Sequence, residues 1–292
     1  VEVERGQEGL MDGYEVRPLD LDQVRVAVQW AESEGWEPGL TDADPFFAAD
    51  PLGGFYGGWL DGQMVATMSA VRCSQEVAFV GFYIVAPEFR GKGYGKYLWD
   101  DVLSRYPGMS FGADSVPEQV ASYETDGFRV AYGNARYSGS ALSGHNEDQA
   151  SLAPAGSVDF DALVEFDGRY CFGPRPAFLK PWIEGPGRVA IVARDDSNEI
   201  TGFAASRRSG LGDRIGPVFS EDEATARSLI LALAEKAGGR VAVDVPLPNQ
   251  PAVDLLESLG MERGFETARI YRGQAPELPL AKIFGVTSLE LG

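Results

Sequence analysis

The chain has 292 residues, 44% of them hydrophobic, a length that suits two domains and a composition that suits ordinary buried cores. Its 44 Asp and Glu against 25 Lys and Arg give a net charge of −19, which repels a phosphate backbone and argues against a nucleic-acid partner. No run approaches the roughly 18 apolar residues of a membrane helix, and two cysteines, Cys73 and Cys171, are too few for a disulfide framework or a zinc site.

In chain order, residues 14–19 read as a strand, and Asp20 with Gln23 forms a capping box that opens a helix with Leu21, Val24, Val28 and Ala31 on one face. A loop follows. Residues 55–60 and 63–71 flank Asp61-Gly62, a dipeptide suited to a tight hairpin turn because both positions need positive φ. Residues 77–85 form an apolar strand, and residues 96–105 carry Leu98, Trp99, Val102 and Leu103 at helical spacing. A strand at 109–113, a short helix at 118–126 and a strand at 129–137 complete this half.

Residues 138–157, rich in Ser, Gly and Ala, have neither period and read as a linker between a domain at 14–137 and one at 158–292. His145, the only histidine, lies there, which leaves Ser-His-Asp and Cys-His catalysis without a histidine elsewhere. The second half repeats the order of the first more loosely. Strands at 189–193, 200–207 and 214–219 lead to a helix with a capping box at Ser220 and Glu223 and an apolar stripe of Ala226, Leu229, Ile230, Leu233 and Ala237. Strand 241–245, a helix near 252–258 and strands around 267–271 and 283–289 follow. The pattern is an α/β chain built from two copies of one unit.

Chemistry concentrates in residues 81–96, where an apolar strand ending Val85-Ala86-Pro87 runs into Arg90-Gly91-Lys92-Gly93-Tyr94-Gly95-Lys96 and then a helix. Such a turn converges main-chain N–H groups on a positive helix end, an arrangement suited to a pyrophosphate. A Walker loop is excluded because Gly95-Lys96 is followed by Tyr97, and the dinucleotide fingerprint because the glycines fall at 91, 93 and 95.

The pattern Arg90-x-x-Gly93-x-Gly95 after that strand, with Tyr123-Glu124-Thr125-Asp126-Gly127-Phe128 further on, resembles the GCN5-related N-acetyltransferase (GNAT) superfamily. The resemblance covers the first half and implies tandem GNAT folds, each a mixed twisted sheet flanked by helices. It implies acetyl-CoA as co-substrate, no metal, and transfer to a primary amine on a small molecule or peptide. Tyr83, Ile84 and Val85 would pair with the pantetheine arm, Arg90, Gly91, Lys92, Gly93, Tyr94, Gly95 and Lys96 would cradle the pyrophosphate, and Tyr123 would protonate the departing thiolate. A phenol near pKa 10 can serve a thiol near about 8.5.

Phe79 stands where some members of the superfamily carry a glutamate base, so a carboxylate elsewhere is expected, with Glu76, Asp114 and Glu124 left open. Trp36 and Phe47 are candidates for an aromatic wall around the acceptor, and Asp42 or Asp44 for attracting an ammonium group. The second half has Pro217-Val218-Phe219-Ser220-Glu221-Asp222 at the corresponding junction and Leu256 where Tyr123 stands, so it reads as a degenerate copy without a coenzyme A site. A non-catalytic acyl-CoA sensor is the competing reading. Few cysteines and no apolar leader make a cytoplasmic location the expectation.

Overall fold

The computed structural model describes residues 12–50, 53–140, 142 and 151–292. His145 lies outside them. After β1 (Tyr14–Pro18), the expected capping box is present: Asp20 accepts the Gln23 N–H at 2.9 Å and the Gln23 side chain accepts the Asp20 N–H at 3.0 Å, which opens α1 (Leu21–Ser33). Where a loop was expected, Ala43–Ala49 forms a helix, α2. The hairpin β2 (Phe55–Leu60) and β3 (Gln63–Arg72) turns at Asp61 and Gly62, both with positive φ. Then come β4 (Val77–Val85), α3 (Tyr94–Ser104), β5 (Ser110–Ser115), α4 (Val120–Thr125) and β6 (Arg129–Gly139).

The segment read as a linker is bounded by regular structure. β6 runs through Ser138 to Gly139, and β7 occupies Ser151–Pro154. Two helices left unassigned by the sequence reading, α5 (Phe160–Gly168) and α6 (Pro176–Glu184), precede β8 (Arg188–Arg194), β9 (Ile200–Ser209) and β10 (Gly212–Ser220). The cap of α7 (Glu223–Ala237) is Asp222, whose side chain accepts the Thr225 N–H, because Ser220 is still in the strand. β11 (Val241–Pro246), α8 (Gln250–Ser258), β12 (Glu262–Arg272) and β13 (Ile283–Gly285) end the fold, the last strand shorter than expected.

The strands form one sheet in the order β1-β2-β3-β4-β5-β12-β6-β11-β10-β9-β8-β7, with β13 added to β10. The two halves therefore exchange strands. β12 of the second half lies between β5 and β6 of the first, and β6 lies between β12 and β11 of the second. The register places Arg269 opposite Asp114 and Arg136 opposite Asp244, so each exchanged strand carries an arginine onto a buried aspartate of the other half. Arg269 grips both Asp114 oxygens at 2.8 Å, and Arg136 donates to Asp244 at 2.8 Å. Arg214 also pairs with Asp244.

The largest apolar cluster also crosses the halves. Phe46 of α2 stacks on Trp182 of α6 with ring centroids 6.0 Å apart, and Arg188 and Arg207 lie 4.3 and 4.6 Å from the Trp182 ring. Both guanidinium groups pair with Asp42, at 2.7 and 2.9 Å.

Removing one member of a buried ion pair strands the other. Asp244→Ala leaves Arg214 without a carboxylate and Arg136 with Glu37 alone, at 3.4 Å, and is expected to lower the unfolding free energy by about 3–5 kcal/mol, read as a lower urea midpoint at pH 7. Burial alone would raise the Asp244 carboxyl, but Arg214 and Arg136 outweigh it and hold it down at about 2. The unfolded value is about 3.9, so the stabilisation is complete above that pH and is lost as pH falls toward 2. The gap between parent and variant should therefore narrow from pH 5 to pH 3.

Candidate functional site

Parallel pairing of β4 with β5 runs from Val77 opposite Ser110 to Val80 opposite Ala113 and stops there. Phe82 then adopts φ 48, a left-handed conformation that costs a bulky residue on the order of 1–3 kcal/mol, and the register with β3 shifts. The Thr67 hydroxyl holds the bulge by donating to the Phe82 carbonyl at 2.8 Å. Beyond it, Tyr83, Ile84 and Val85 part from β5 and open a cavity of about 460 Å³.

Into this cavity the structure brings Tyr83, Ile84, Val85, Arg90, Lys96, Tyr123 and Trp36 of the expected residues. The glycine turn lies between β4 and α3: Gly91 and Gly93 have φ +73 and +86, which glycine adopts without Cβ strain. Gly95 is small for packing, since a Cβ there would stand 2.7 Å from Val85 Cγ2 and 2.9 Å from the Tyr83 hydroxyl. Among the described residues no side chain caps α3, so its first-turn N–H groups remain available.

The expected cations are engaged. Arg90 donates to the Val85 carbonyl at 2.8 Å and pairs with Glu34, Lys96 pairs with Asp100, and Lys92 donates to the Glu88 carbonyl at 2.7 Å. Tyr94 turns its ring onto Tyr14, so only its main chain is placed for a cradle.

The Tyr123 ring is locked between Trp99, at 5.3 Å, and Phe128, at 5.7 Å. Burial, aided by Asp126, pushes its hydroxyl up to about 12, above the value of a free phenol.

Among the proposed acceptor contacts, Trp36 alone reaches the cavity. Asp42 is corrected to a structural role, because it is fully buried with its carboxylate taken by Arg188 and Arg207. Asp44 pairs with Arg25 at 3.0 Å, and Phe47 packs against the core. Of the open choices of base, Asp114 lines the cavity but is held by Arg269 and Asn134, and Glu76 and Glu124 do not line it.

The sequence reading missed what the second half supplies. Phe265 and Thr267 of β12, with Leu289 and Glu290 of the C-terminal segment, line the same cavity. Both stretches are far from β4 in sequence; the strand exchange brings β12 here, and the C-terminal segment runs in from the end of β13.

The second half repeats the geometry and then fills it. Parallel pairing of β10 with β11 ends at Ile215 opposite Val243, and a register shift follows at Gly216 and Pro217. Where β4 presents an open edge, Val218 and Phe219 of β10 are paired by β13, and the Val286 N–H donates to the Asp244 carbonyl at 2.8 Å. The chain itself occupies the second cleft.

A tandem α/β chain whose first half holds an open cleft of this shape defines a class, and sequence comparison agrees. Residues 21–121 match the acetyltransferase (GNAT) family and residues 163–285 match an acetyltransferase (GNAT) domain. The chain is 36% identical over 283 residues to a holothin acyltransferase of Pseudoalteromonas sp. (strain SANK 73390), covering 94% of each sequence. Its fold is similar to a putative acetyltransferase of Pyrococcus horikoshii, with a TM-score of 0.80, 16% identity and 96% of each chain covered. It is also similar to a tandem GNAT protein from the clavulanic acid biosynthesis pathway, with a TM-score of 0.59 and 16% identity over 90% of this chain and 100% of that one. The protein belongs to the GNAT family and is an acyltransferase.

Proposed function

We propose that the protein transfers an acetyl group from acetyl-CoA to a primary amine of a small molecule or peptide, at the cleft between β4 and β5. The observation that carries this reading is the contrast between the two clefts. In the first, Tyr83 to Val85 present an open strand edge that leads to an uncapped, glycine-rich helix end. In the second, β13 occupies that edge and Asp222 caps the helix. A pantetheine arm would pair with the first edge as an added strand, and the pyrophosphate would meet the N–H groups of α3. Arg90 and Lys96 would exchange carboxylate partners for phosphate.

Direct attack of the amine on the thioester suits this site better than an acyl-enzyme. Cys73 and Cys171 line a separate cavity, and burial pushes both thiols up to about 12, so neither is a ready nucleophile. Tyr123 is better placed as a hydrogen-bond donor than as a full proton donor. With its hydroxyl at about 12 and a thiol near about 8.5, complete transfer to the thiolate is uphill by about 5 kcal/mol. A neutral hydroxyl that donates to the thiolate stabilises the leaving group without that cost. The acceptor is an amine of the kind a holothin acyltransferase invites as a first trial, with holothin itself at the head of an amine panel.

Calorimetric titration with acetyl-CoA should saturate at one equivalent per chain, and Gly93→Glu should abolish binding because it sets a carboxylate and a strained φ where the pyrophosphate approaches. Saturation at two equivalents, or undiminished affinity in the variant, contradicts the reading. Tyr123→Phe should lower kcat by about ten- to a thousandfold in an amine-dependent thiol-release assay, with acetyl-CoA affinity nearly unchanged. An unaltered kcat would make Tyr123 a packing residue.

A further inference from the structure

Among the described residues four carboxylates line the open cleft, and three are engaged. Glu34 pairs with Arg90, Asp126 lies 3.9 Å from Lys96, and Asp114 accepts from Arg269 and Asn134. The fourth, Glu290, is buried, yet among the described residues no donor reaches its carboxylate within hydrogen-bond distance. The Thr267 hydroxyl on the same cavity wall is fully buried and has no partner among the described residues. A carboxylate largely withdrawn from water and left unbonded costs free energy unless a ligand or water completes it.

The position of Glu290 is fixed from both sides. The Arg175 guanidinium, itself held by Asp167, donates to Thr287 Oγ1 at 2.7 Å, and the Leu291 N–H donates to Ser288 Oγ at 3.2 Å. Leu291 is buried in the cluster that joins the halves. The Glu290 carbonyl lies where a Cβ on Gly81 would stand, against the bulge that opens the cleft. The segment that closes the second cleft therefore continues into the first and delivers one carboxylate there.

Resting on the acyltransferase reading above, we infer that Glu290 is the general base of the transfer, taking the proton that the acceptor nitrogen sheds as it attacks the thioester. The C–N bond forms and the C–S bond breaks. The nitrogen's proton passes to Glu290, and coenzyme A leaves as a thiolate held by the Tyr123 hydroxyl. Glu290 then releases its proton to solvent, from which the thiolate takes one, so amine and thioester become amide and thiol without further reactant.

The charged groups facing Glu290 are Arg214 on β10, Arg207 on β9, Arg136 on β6 and Asp42 ahead of α2. Burial raises its carboxyl above the usual range and outweighs the pull of Arg214 and Arg207. A base so placed is more proton-avid than a solvated carboxylate, while the arginines keep its charged form accessible.

The test uses the full chain with acetyl-CoA and the fastest acceptor of the amine panel. Glu290→Gln keeps size and shape, so acetyl-CoA affinity by calorimetry should stay within twofold of the parent while kcat at pH 7 falls about a hundred- to ten-thousandfold. The acid limb of the parent's pH–rate profile should disappear in this variant, and Glu290→Asp should restore part of the rate together with that limb. Unchanged kcat with an unchanged acid limb in Glu290→Gln overturns the assignment. So does an equal rate loss in Glu290→Asp and Glu290→Gln with the acid limb retained, which marks a packing role. A parent that binds no acetyl-CoA, or releases no thiol with any amine, removes the acyltransfer reading first and this assignment with it.

Discussion

The exchange of β6 and β12 between the halves is the constraint on which the rest depends. A strand inserted into another half's sheet must arrive in one register, since a slip of one residue reverses every side chain. Here the register is specified by charge. Arg269 meets Asp114 and Arg136 meets Asp244, each pair buried and each at the same step beyond the end of its parallel pairing. A shifted strand would bury an arginine against apolar side chains and leave an aspartate bare, a cost of several kcal/mol at each site. Buried ion pairs add little net stability over apolar replacements. Their use in this sheet is to forbid the alternatives.

The same exchange explains how two copies of one unit come to hold a single cleft. Gly81 and Gly216 occupy equivalent bulges, each after the last parallel pair, and each lies under the backbone of the C-terminal segment. At Gly216 the overlying residues are Val286 and Thr287, which follow directly from β13 in the second cleft. At Gly81 the overlying residue is Glu290, beside a cleft that stays open. One short stretch of chain thus abolishes one site and furnishes the other, and a Cβ at Gly81 or Gly216 would stand 2.4 Å from a carbonyl oxygen of that stretch.

Much of the first half was legible in its residues because its signals are local. The Asp20 capping box, the Asp61-Gly62 turn and the strand that runs into Gly91, Gly93 and Gly95 each depend on neighbours within a few positions. Asp42 misled for the opposite reason. In an acidic turn it reads as a solvated charge, and only the distant Arg188 and Arg207 make it a buried anchor. A faint signal for the exchange was present: Asp114 and Asp244 each interrupt an otherwise uncharged strand, and Arg136 and Arg269 each interrupt a strand that follows a Gly turn. Matching charges at matching places in two repeats point to pairing, although sequence does not say that each pairs across to the other copy.

That pairing also redistributes the charge of the molecule. Arg136, Arg188, Arg207, Arg214 and Arg269 are all withdrawn into the interior beside Asp42, Asp114 and Asp244, and Asp50, Asp167, Asp213 and Glu290 are buried as well. Burial therefore withdraws charges of both signs, and the surface left behind stays acidic, as the net charge of −19 requires. An anionic cofactor would approach such a surface against long-range repulsion, which salt screens beyond about 8–10 Å, and meet attraction only at contact range. Arg90, Lys92 and Lys96 at the glycine turn are the local exception, and carboxylates or carbonyls already hold each of them in place. Pre-placed cations lose little side-chain freedom on meeting phosphate, so in the proposed role the turn would gain by order what the surface loses by repulsion.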